Sequence, residues 1–184
     1  MDFLSTWEKT TLLKKMLDKV LAYMLLIAIT LFAATSFSHA VAEELELEND
    51  TFCLAQNIYF EAGNQPLAGR IAVGQVTLNR RADNQFPDSI CDVVYQAKMK
   101  SNWRNEIVPI RNQCQFSWFC DGKSDIPTDS LTWIESLWLA DKILDNLYPD
   151  FTEGALWYHN DSVTPYWSKQ LNRTVTIDNH LFYN

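Results

Sequence analysis

An uncharged apolar run of 18 residues, Val20–Phe37, most strongly limits how this chain of 184 residues can fold. Three lysines lie within residues 14–19, just before the run. Small residues after the run offer signal peptidase two cleavage sites, after Ala40 or after Ala42. A positive flank, an apolar core and a small-residue cleavage site follow the order of an export signal. The run also approaches the length of a membrane-spanning helix. Residues 1–42 are therefore predicted to be a signal peptide or an uncleaved anchor, and either places the remaining chain outside the cytoplasm.

The part of the chain from residue 43 onward is acidic. It contains 20 acidic and 11 basic residues, a net charge of −9, and no basic cluster stands out. This balance argues against nucleic acid as a partner, because phosphates require Lys and Arg. Aromatic side chains are abundant, with 7 Trp, 7 Tyr and 10 Phe in the whole chain. Such a composition suits a ligand with flat faces, such as a sugar or a base.

Four cysteines lie in the exported part: Cys53, Cys91, Cys114 and Cys120. An even number in an oxidising compartment predicts two disulfides, and the sequence leaves all three pairings open. The spacing of Cys114 and Cys120 is a poor match to that of zinc ligands, so no metal site is predicted.

Helical periodicity dominates the first two thirds of the exported chain. The acidic stretch at residues 43–50 is predicted to be a linker, and the first helix is expected to start at Asp50 or Thr51, which can cap it. Gly63 suits the position after a helix end, and Pro66 suits the start of the next helix. The predicted helices cover residues 51–63 and 66–81, a short stretch that begins after Asp88 or Ser89, and residues 129–148.

The remainder of the chain changes character. Residues 96–128 show no sustained period, and we expect a long irregular segment there. After residue 150, short aromatic and β-branched runs indicate strands, with Asp178-Asn179 as a hairpin turn. Helices followed by a small antiparallel sheet predict an α+β domain over residues 51–184. The apolar stripe expected to face the core from the last helix comprises Ile134, Leu137, Trp138, Leu144, Leu147 and Tyr148.

Glu61 lies in the most apolar part of the first predicted helix. Most glutamates are exposed surface residues. Here Phe60 and Ala62 flank the carboxyl, and apolar surroundings favour its protonated form. A protonated carboxylic acid can donate a proton to a leaving oxygen, which is the acid step of glycosidic bond cleavage. Glu61 is therefore the candidate catalytic acid.

A glycosidase usually has a second carboxylate beside the bond that it cleaves. Asp83, Asp121 and Asp161 are candidates, and each is also a typical solvated turn residue. The alternative is that a hydroxyl of the sugar attacks, with one glutamate serving as acid and then as base.

Several blocks of the sequence together resemble the SleB-type cell wall hydrolases, which include the spore-cortex-lytic enzymes. The blocks are "CLAQNIYFEAGNQPLAGRIAVGQVTLNRR", "FPDSICDVVYQ", "CQFSWFCDG", "GALWYHND", "PYWSK" and "IDNHLFY". They occur in the family's order from about Cys53 to Tyr183. The resemblance implies a lysozyme-like fold, with a mainly helical lobe and a small antiparallel sheet. It also implies cleavage of peptidoglycan between N-acetylmuramic acid and N-acetylglucosamine, in several members as a lytic transglycosylase that leaves a 1,6-anhydro sugar.

The resemblance also implies roles for particular residues. The family's catalytic glutamate corresponds to Glu61. The sequence departs from the commoner family pattern directly after it, with "EAGNQP" where many members have "EARGEP". No cofactor is implied. The residues expected to bind the glycan are Tyr59, Gln115, Phe116, Ser117, Trp157, Tyr158, His159, Asn160, Trp167 and His180.

Two other functions remain open at this stage. A zinc amidase that cuts the muramoyl–alanine bond would need ligands such as His159 and His180, whose 21-residue separation is no recognised ligand spacing. A wall-binding protein without activity is the other alternative. In each case the expected partner is the peptidoglycan strand, with the membrane as a further partner if residues 1–42 are retained. The expected location is the periplasm, free or anchored to the inner membrane.

Overall fold

The computed structural model of the protein describes residues 6–184, with side chains described for residue 11 and for residues 13–184. The chain divides into two compact units, Met1–Glu46 and Leu47–Asn184. One long helix, α1 (Thr6–Ala62), supplies the described part of the first unit and the first element of the second.

Helix α1 contains the apolar run. Within the described residues, its segment Leu13–Ala62 is the one helix long and apolar enough to cross a membrane, and its most apolar stretch has a mean hydropathy of 2.2. The predicted helix start at Asp50 or Thr51 is wrong, because α1 continues through residues 43–50. This stretch consists mostly of Glu and Leu, which are good helix formers, and has no Gly or Pro to stop the helix. The predicted division at residues 42 and 50 stays a prediction.

Three further helices follow: α2 (Leu67–Ala82), α3 (Ile90–Val94) and α4 (Ser130–Leu144). Side chains cap two of them as predicted, with Ser89 accepting from the Asp92 N–H and Asp129 accepting from the Thr132 N–H. Helix α4 ends before the predicted residue 148. Asn146 adopts a φ of 56°, and the N–H of Leu147 donates to the carbonyl of Lys142. This is a Schellman end, which stops the helix before the proline that was expected to stop it.

Helix α2 is the central buried helix, as predicted, with ten buried residues. A Cβ atom at Gly74 would lie 2.6 Å from Ile143 Cδ1, so this glycine allows α4 to pack closely. The predicted inward stripe of α4 is only half right: Leu137, Leu144 and Tyr148 pack against the core and are partly buried, whereas Ile134, Trp138 and Leu147 are exposed. The residues that α4 buries are Ser136, Leu139, Ala140 and Ile143.

Five strands form two antiparallel sheets. The predicted C-terminal sheet is confirmed, with the order β3 (Trp157–Asn160), β5 (His180–Tyr183), β4 (Arg173–Ile177). Its hairpin turn lies at Asp178-Asn179, where Asp178 has a φ of 50°. A second, unexpected hairpin lies in the stretch predicted to be irregular. It pairs β1 (Ala97–Ser101) with β2 (Ile107–Cys114), and most of its residues are exposed.

Two disulfides form, as predicted: Cys53–Cys91 and Cys114–Cys120. The first ties α1 to α3 at the edge of the main core cluster. That cluster is built from α1, α2, α3, α4 and the 3₁₀ turn Ser117–Cys120, and a smaller cluster joins α2 to the C-terminal sheet. The α+β class is therefore confirmed. Phe60, the neighbour of Glu61 in the chain, packs against the main cluster, and Tyr158 packs against both.

Candidate active site

Glu61 lies in the last turn of α1, half-buried, on the wall of a cavity of about 270 Å³. Tyr158 in β3 donates a hydrogen bond from its hydroxyl to Glu61 Oε2, at 3.1 Å. The end of α1 and the first strand of the C-terminal sheet thus meet at one carboxyl group. The residues that line the cavity are Phe60, Glu61, Ser117, Trp118, Asp121, Lys123, Ser124 and Asp125.

A buried polar bridge fixes the helix turn that carries Glu61. Asn57 lies one turn before it, and its amide donates to Thr77 Oγ1 in α2 at 3.1 Å. The same side chain accepts from the indole N–H of Trp118 at 3.0 Å. Trp118 then stacks on Phe60, with 4.8 Å between the ring centroids. The helix end and the 3₁₀ turn therefore hold a common position around the cavity.

The surroundings of Glu61 raise its pKa. Burial is the main cause, because desolvation penalises the carboxylate. The hydrogen bond from Tyr158, the charge of Arg80 and a hydrogen bond from the Ser117 backbone act in the opposite direction. Glu61 therefore keeps its proton to a higher pH than an ordinary glutamate, as its apolar neighbours in the sequence predicted.

Arg80 lies behind this pair and is almost fully buried. Its Nε donates to the Leu156 carbonyl at 2.7 Å, two residues before Tyr158, and its guanidinium lies 4.9 Å from the centre of the Phe116 ring. Its Nη1 atom has no hydrogen-bond partner among the described residues. Burial lowers the pKa of Arg80, while the nearby Tyr158 and Glu61 oppose that shift.

Comparison with known proteins identifies the family. The model of the cell wall hydrolase family matches residues 64–183, nearly two thirds of the chain. The chain belongs to the cell wall hydrolases. The matched segment begins three residues after Glu61, and it contains Arg80 and Tyr158. It also contains the loop wall of the cavity, which is formed by lining residues between positions 117 and 125.

Relatives of this cell wall hydrolase include two spore cortex-lytic enzymes. The one from Halalkalibacterium halodurans is 28% identical over 139 residues, which are 74% of this chain and 35% of the relative. The one from Bacillus subtilis is 40% identical over 48 residues, which are 26% of this chain and 16% of the relative. The chain thus aligns with about a third or less of the length of these relatives.

Two solved structures resemble this cell wall hydrolase. One is the catalytic domain of the Bacillus cereus SleB protein, with a TM-score of 0.52, and the other is the catalytic domain of the germination-specific lytic transglycosylase SleB from Bacillus anthracis, with a TM-score of 0.54. Each is 25% identical, and each match covers 74% of this chain and at least 90% of the solved domain. The predicted lysozyme-like fold is confirmed.

The predicted site residues take different places in the hydrolase. Ser117 and Tyr158 lie at Glu61. Phe116 is buried under Arg80. Gln115 lines a separate depression. The Tyr59 hydroxyl accepts from the backbone N–H groups just before α4.

The remaining predicted residues lie in or beside the C-terminal sheet. His159 bonds the Tyr183 hydroxyl at 2.9 Å, and Trp167 packs edge-on against both rings. His180 lies edge-on to Tyr158, with 5.4 Å between the ring centroids, and burial lowers its pKa. Trp157 packs near Phe86, and Asn160 accepts from the Ser162 N–H. Contacts between these residues and substrate stay predictions.

The cavity contains two aspartates besides Glu61. Asp121 was a sequence candidate for the second carboxylate, whereas Asp125 was not considered. The Lys123 backbone N–H is the main cause that lowers the pKa of Asp121, and burial raises the pKa of Asp125. The other two candidates lie elsewhere, Asp83 in a different depression and Asp161 beside the C-terminal hairpin turn.

Arg80 is the residue that sequence reasoning missed most clearly. Its signal was an arginine at a position of α2 that falls among apolar core residues. No group of three or more His, Cys, Asp or Glu side chains in the described part of the chain is arranged to hold a metal ion.

Proposed function

We propose that the unit Leu47–Asn184 cleaves the glycosidic bond between N-acetylmuramic acid and N-acetylglucosamine in peptidoglycan, with Glu61 as acid and then as base. The observation that carries the proposal is the state of Glu61: a half-buried carboxyl on a cavity wall, bonded to Tyr158, with a raised pKa. Membership of the cell wall hydrolase family supports the choice of substrate.

In the acid step, protonated Glu61 transfers its proton to the glycosidic oxygen as the bond to C1 of the muramic acid breaks. Tyr158 orients the carboxyl through Oε2, which leaves Oε1 outside that hydrogen bond. Burial raises the pKa of the Tyr158 hydroxyl well above its usual range, so this group remains a hydrogen-bond donor throughout. The positive charge of Arg80 favours the carboxylate that results.

In the base step, the Glu61 carboxylate accepts the proton of the C6 hydroxyl of the same muramic acid. The C6 oxygen attacks C1, and a 1,6-anhydro ring forms without water being consumed. Glu61 ends the cycle protonated, so one carboxyl group is sufficient. This course fits the cavity, because Glu61 is the carboxyl group there whose protonated form burial most clearly favours.

Hydrolysis is a second candidate, because Asp121 lines the same cavity and its pKa is lowered. An ionised carboxylate there is suited to activating a water molecule or to stabilising positive charge at C1. The products distinguish the two reactions. Transglycosylation leaves anhydro-muramic ends, whereas hydrolysis leaves reducing ends.

Mass spectrometry of peptidoglycan digested by the wild type and by Glu61→Gln tests the proposal. We expect anhydro-muramic ends with the wild type and no new ends with the variant. Reducing ends alone would favour hydrolysis. New amino ends would indicate an amidase, and binding without new ends of any kind would indicate a wall-binding protein.

We propose also that the apolar part of α1 directs the second unit across the inner membrane, as a cleaved signal or as an anchor. The length and hydropathy of α1 support this role, and both are shared by signals and anchors. The test separates cells into a membrane fraction and a soluble periplasmic fraction and measures the mass of the chain in each. A shortened chain in the soluble fraction indicates a cleaved signal, and the full-length chain in the membrane fraction indicates an anchor. Retention of the full chain in the cytoplasm would contradict both.

A further inference from the structure

The hairpin formed by β1 and β2, residues 97–114, has a charge unlike that of the rest of the exported chain. Four of the 11 basic residues after position 42 lie in it, together with one of the 20 acidic residues. This cluster is hidden in the overall composition, because acidic residues outnumber basic ones after position 42 as a whole. The basic residues of the hairpin are Lys98, Lys100, Arg104 and Arg111.

These four side chains are exposed and available. Within the described residues none of them forms an ion pair, whereas basic residues elsewhere in the second unit do. Glu106, the hairpin's acidic residue, accepts instead from the Asn102 side-chain amide at 2.8 Å. The basic side chains of the hairpin therefore have no close carboxylate partner within the described residues.

The tip of the hairpin presents an ordered aromatic and basic surface. The Asn102 side chain accepts from the N–H groups of Arg104 and Glu106, and these bonds fix the turn. Trp103 is 83% exposed, and the Arg104 guanidinium lies 4.4 Å from the centre of its ring. The tip therefore offers a ligand an exposed aromatic face next to a positive charge.

The base of the hairpin joins the wall of the Glu61 cavity. Ser117 follows the last residue of β2 by three positions, which is at most about 11 Å along the chain. The backbone N–H and the side chain of Lys123 are the main causes of the lowered pKa of Asp121 on that wall. The charge of Arg111 lowers it further. A group attached to a sugar bound near Glu61 is thus within reach of the hairpin.

A polar depression of about 440 Å³ lies at this junction. It is lined by Gln96, Gln113, Gln115 and Lys98, together with Ala97 and Cys114. Gln96 Oε1 is buried and has no hydrogen-bond partner among the described residues. Several side-chain amides beside an exposed lysine suit a ligand that carries both amide groups and carboxylates.

We propose that the hairpin and the depression at its base bind the acidic stem peptide attached to the muramic acid, and so make the site selective for peptide-bearing glycan. This inference rests on the proposed function for the choice of glycan. The peptide's carboxylates contact Lys98, Lys100 and Arg104, and its amide groups form hydrogen bonds with the glutamine side chains that line the depression. Trp103 packs against the apolar side chains of the same peptide.

The test compares the triple variant Lys98→Gln, Lys100→Gln, Arg104→Gln with a control that removes the same charge elsewhere. The control is Lys142→Gln, Lys169→Gln, Arg173→Gln. Both sets are made in the full chain in detergent micelles, on a Glu61→Gln background that prevents cleavage. Binding of a soluble disaccharide-tetrapeptide and of the same disaccharide without peptide is measured by calorimetry at low and high salt.

We expect the hairpin variant to bind the peptide-bearing ligand roughly tenfold more weakly, because each exposed ion pair changes affinity up to about fivefold. Binding of the bare disaccharide and of the control variant should be unchanged, and the difference should shrink at high salt. Equal loss for both ligands, or no loss, would overturn the inference. So would hairpin-dependent binding to vesicles of anionic phospholipid, or to single-stranded DNA, in place of the peptide.

Failure of the proposed function gives a different result. If the wild type creates no new glycan ends but binds the peptide-bearing ligand through the hairpin, the catalytic proposal fails and the binding inference stands. If the wild type cleaves glycan equally well with and without peptides, and the hairpin variant does the same, the hairpin inference alone fails.

Discussion

The two walls of the Glu61 cavity shift the pKa values of Glu61 and Asp121 in opposite directions. On the helix wall, which Phe60 and Glu61 form at the end of α1, burial raises the pKa of Glu61. Tyr158 and Arg80 act on the same carboxyl group through a hydrogen bond and a charge. On the loop wall, the Lys123 backbone N–H and ammonium, 3.2 Å from Asp121 Oδ2, lower the pKa of Asp121. The difference is one of solvation: the packed helix end excludes water from its acid, and the loop replaces water with fixed donors. The cavity therefore contains one carboxyl group, Glu61, whose protonated form is favoured and another, Asp121, whose ionised form is favoured.

The largest effect is expected for Glu61→Gln, which removes the proton donor of the helix wall. Activity should fall about 100- to 10,000-fold, the range that general acid catalysis contributes. The measurement is the rate at which new glycan ends appear. Glu48→Gln, an exposed change on the same helix, is the matched control and should leave the rate unchanged.

The same variant also tests the pKa of Glu61 without any substrate. A carboxyl whose pKa is raised in the folded state favours folding at low pH, and that contribution is lost as the pH rises from the ordinary value of 4.5 through the folded-state pKa. Glu61→Gln should therefore melt at a higher temperature than the wild type above that window, with the gap closing as the pH falls. A gap independent of pH would show that Glu61 is not desolvated.

The second prediction concerns Arg80, which supports the helix wall electrostatically. Arg80→Met removes a charge that lowers the Glu61 pKa, so the alkaline limb of the pH–rate profile should move to higher pH. The maximal rate should fall about 10- to 100-fold, because the carboxylate formed in the acid step loses its nearby cation. Arg80→Lys keeps the charge and should keep the limb in place. Equal shifts in both variants would mean that Arg80 acts through packing.

The third prediction concerns the hydrogen bond between the sheet and the helix wall. Tyr158→Phe removes the donor to Glu61 Oε2, which again raises the Glu61 pKa and moves the alkaline limb upward. We expect a fall in rate of about tenfold, the loss of one hydrogen bond to a charged group. Tyr166→Phe, at an exposed position of the 3₁₀ turn Tyr166–Lys169, serves as the control. An unchanged pH profile would show that the hydrogen bond from Tyr158 does not affect the pKa of Glu61 during the reaction.

The smallest effect is expected on the loop wall. If Glu61 serves as both acid and base, Asp121→Asn removes an anion that takes no proton, and the rate should stay within about threefold of the wild type. Kinetics on the same peptidoglycan, with Asp88→Asn as a distant control, measure this. A loss comparable to that of Glu61→Gln would assign Asp121 a direct role and would favour hydrolysis over transglycosylation.

Local patterns predicted the helix wall better than the loop wall. Glu61 stood out because an acid among apolar residues is unusual, and the caps of α3 and α4 follow from Ser and Asp at the correct positions. Arg80 did not stand out, because its burial depends on a carbonyl 76 positions away in the chain. The inward face of α4 was misjudged for a related reason: close packing against α2 selects small residues such as Ser136 and Ala140 over the larger Ile134 and Trp138.

The hairpin at residues 97–114 was missed because its strands lack the alternation that marks a half-buried strand. Nearly every residue of β1 is exposed on both faces. Its position depends on pairing with β2 and on the base that the Cys114–Cys120 disulfide closes, neither of which leaves a periodic signal. Its basic residues become a cluster only when the two strands pair.

The Cys53–Cys91 disulfide makes the stability of the helix end that carries Glu61 depend on redox conditions. It lies two turns before Glu61 on α1 and closes a loop of 38 residues, which corresponds to about 4 kcal/mol of stabilisation in the chain-entropy description. A typical domain has only about 5–15 kcal/mol of net stability. While its thiols are reduced, the helix end that carries the acid lacks a large share of that margin. The Leu47–Asn184 unit is thus less stable under reducing conditions than under oxidising ones.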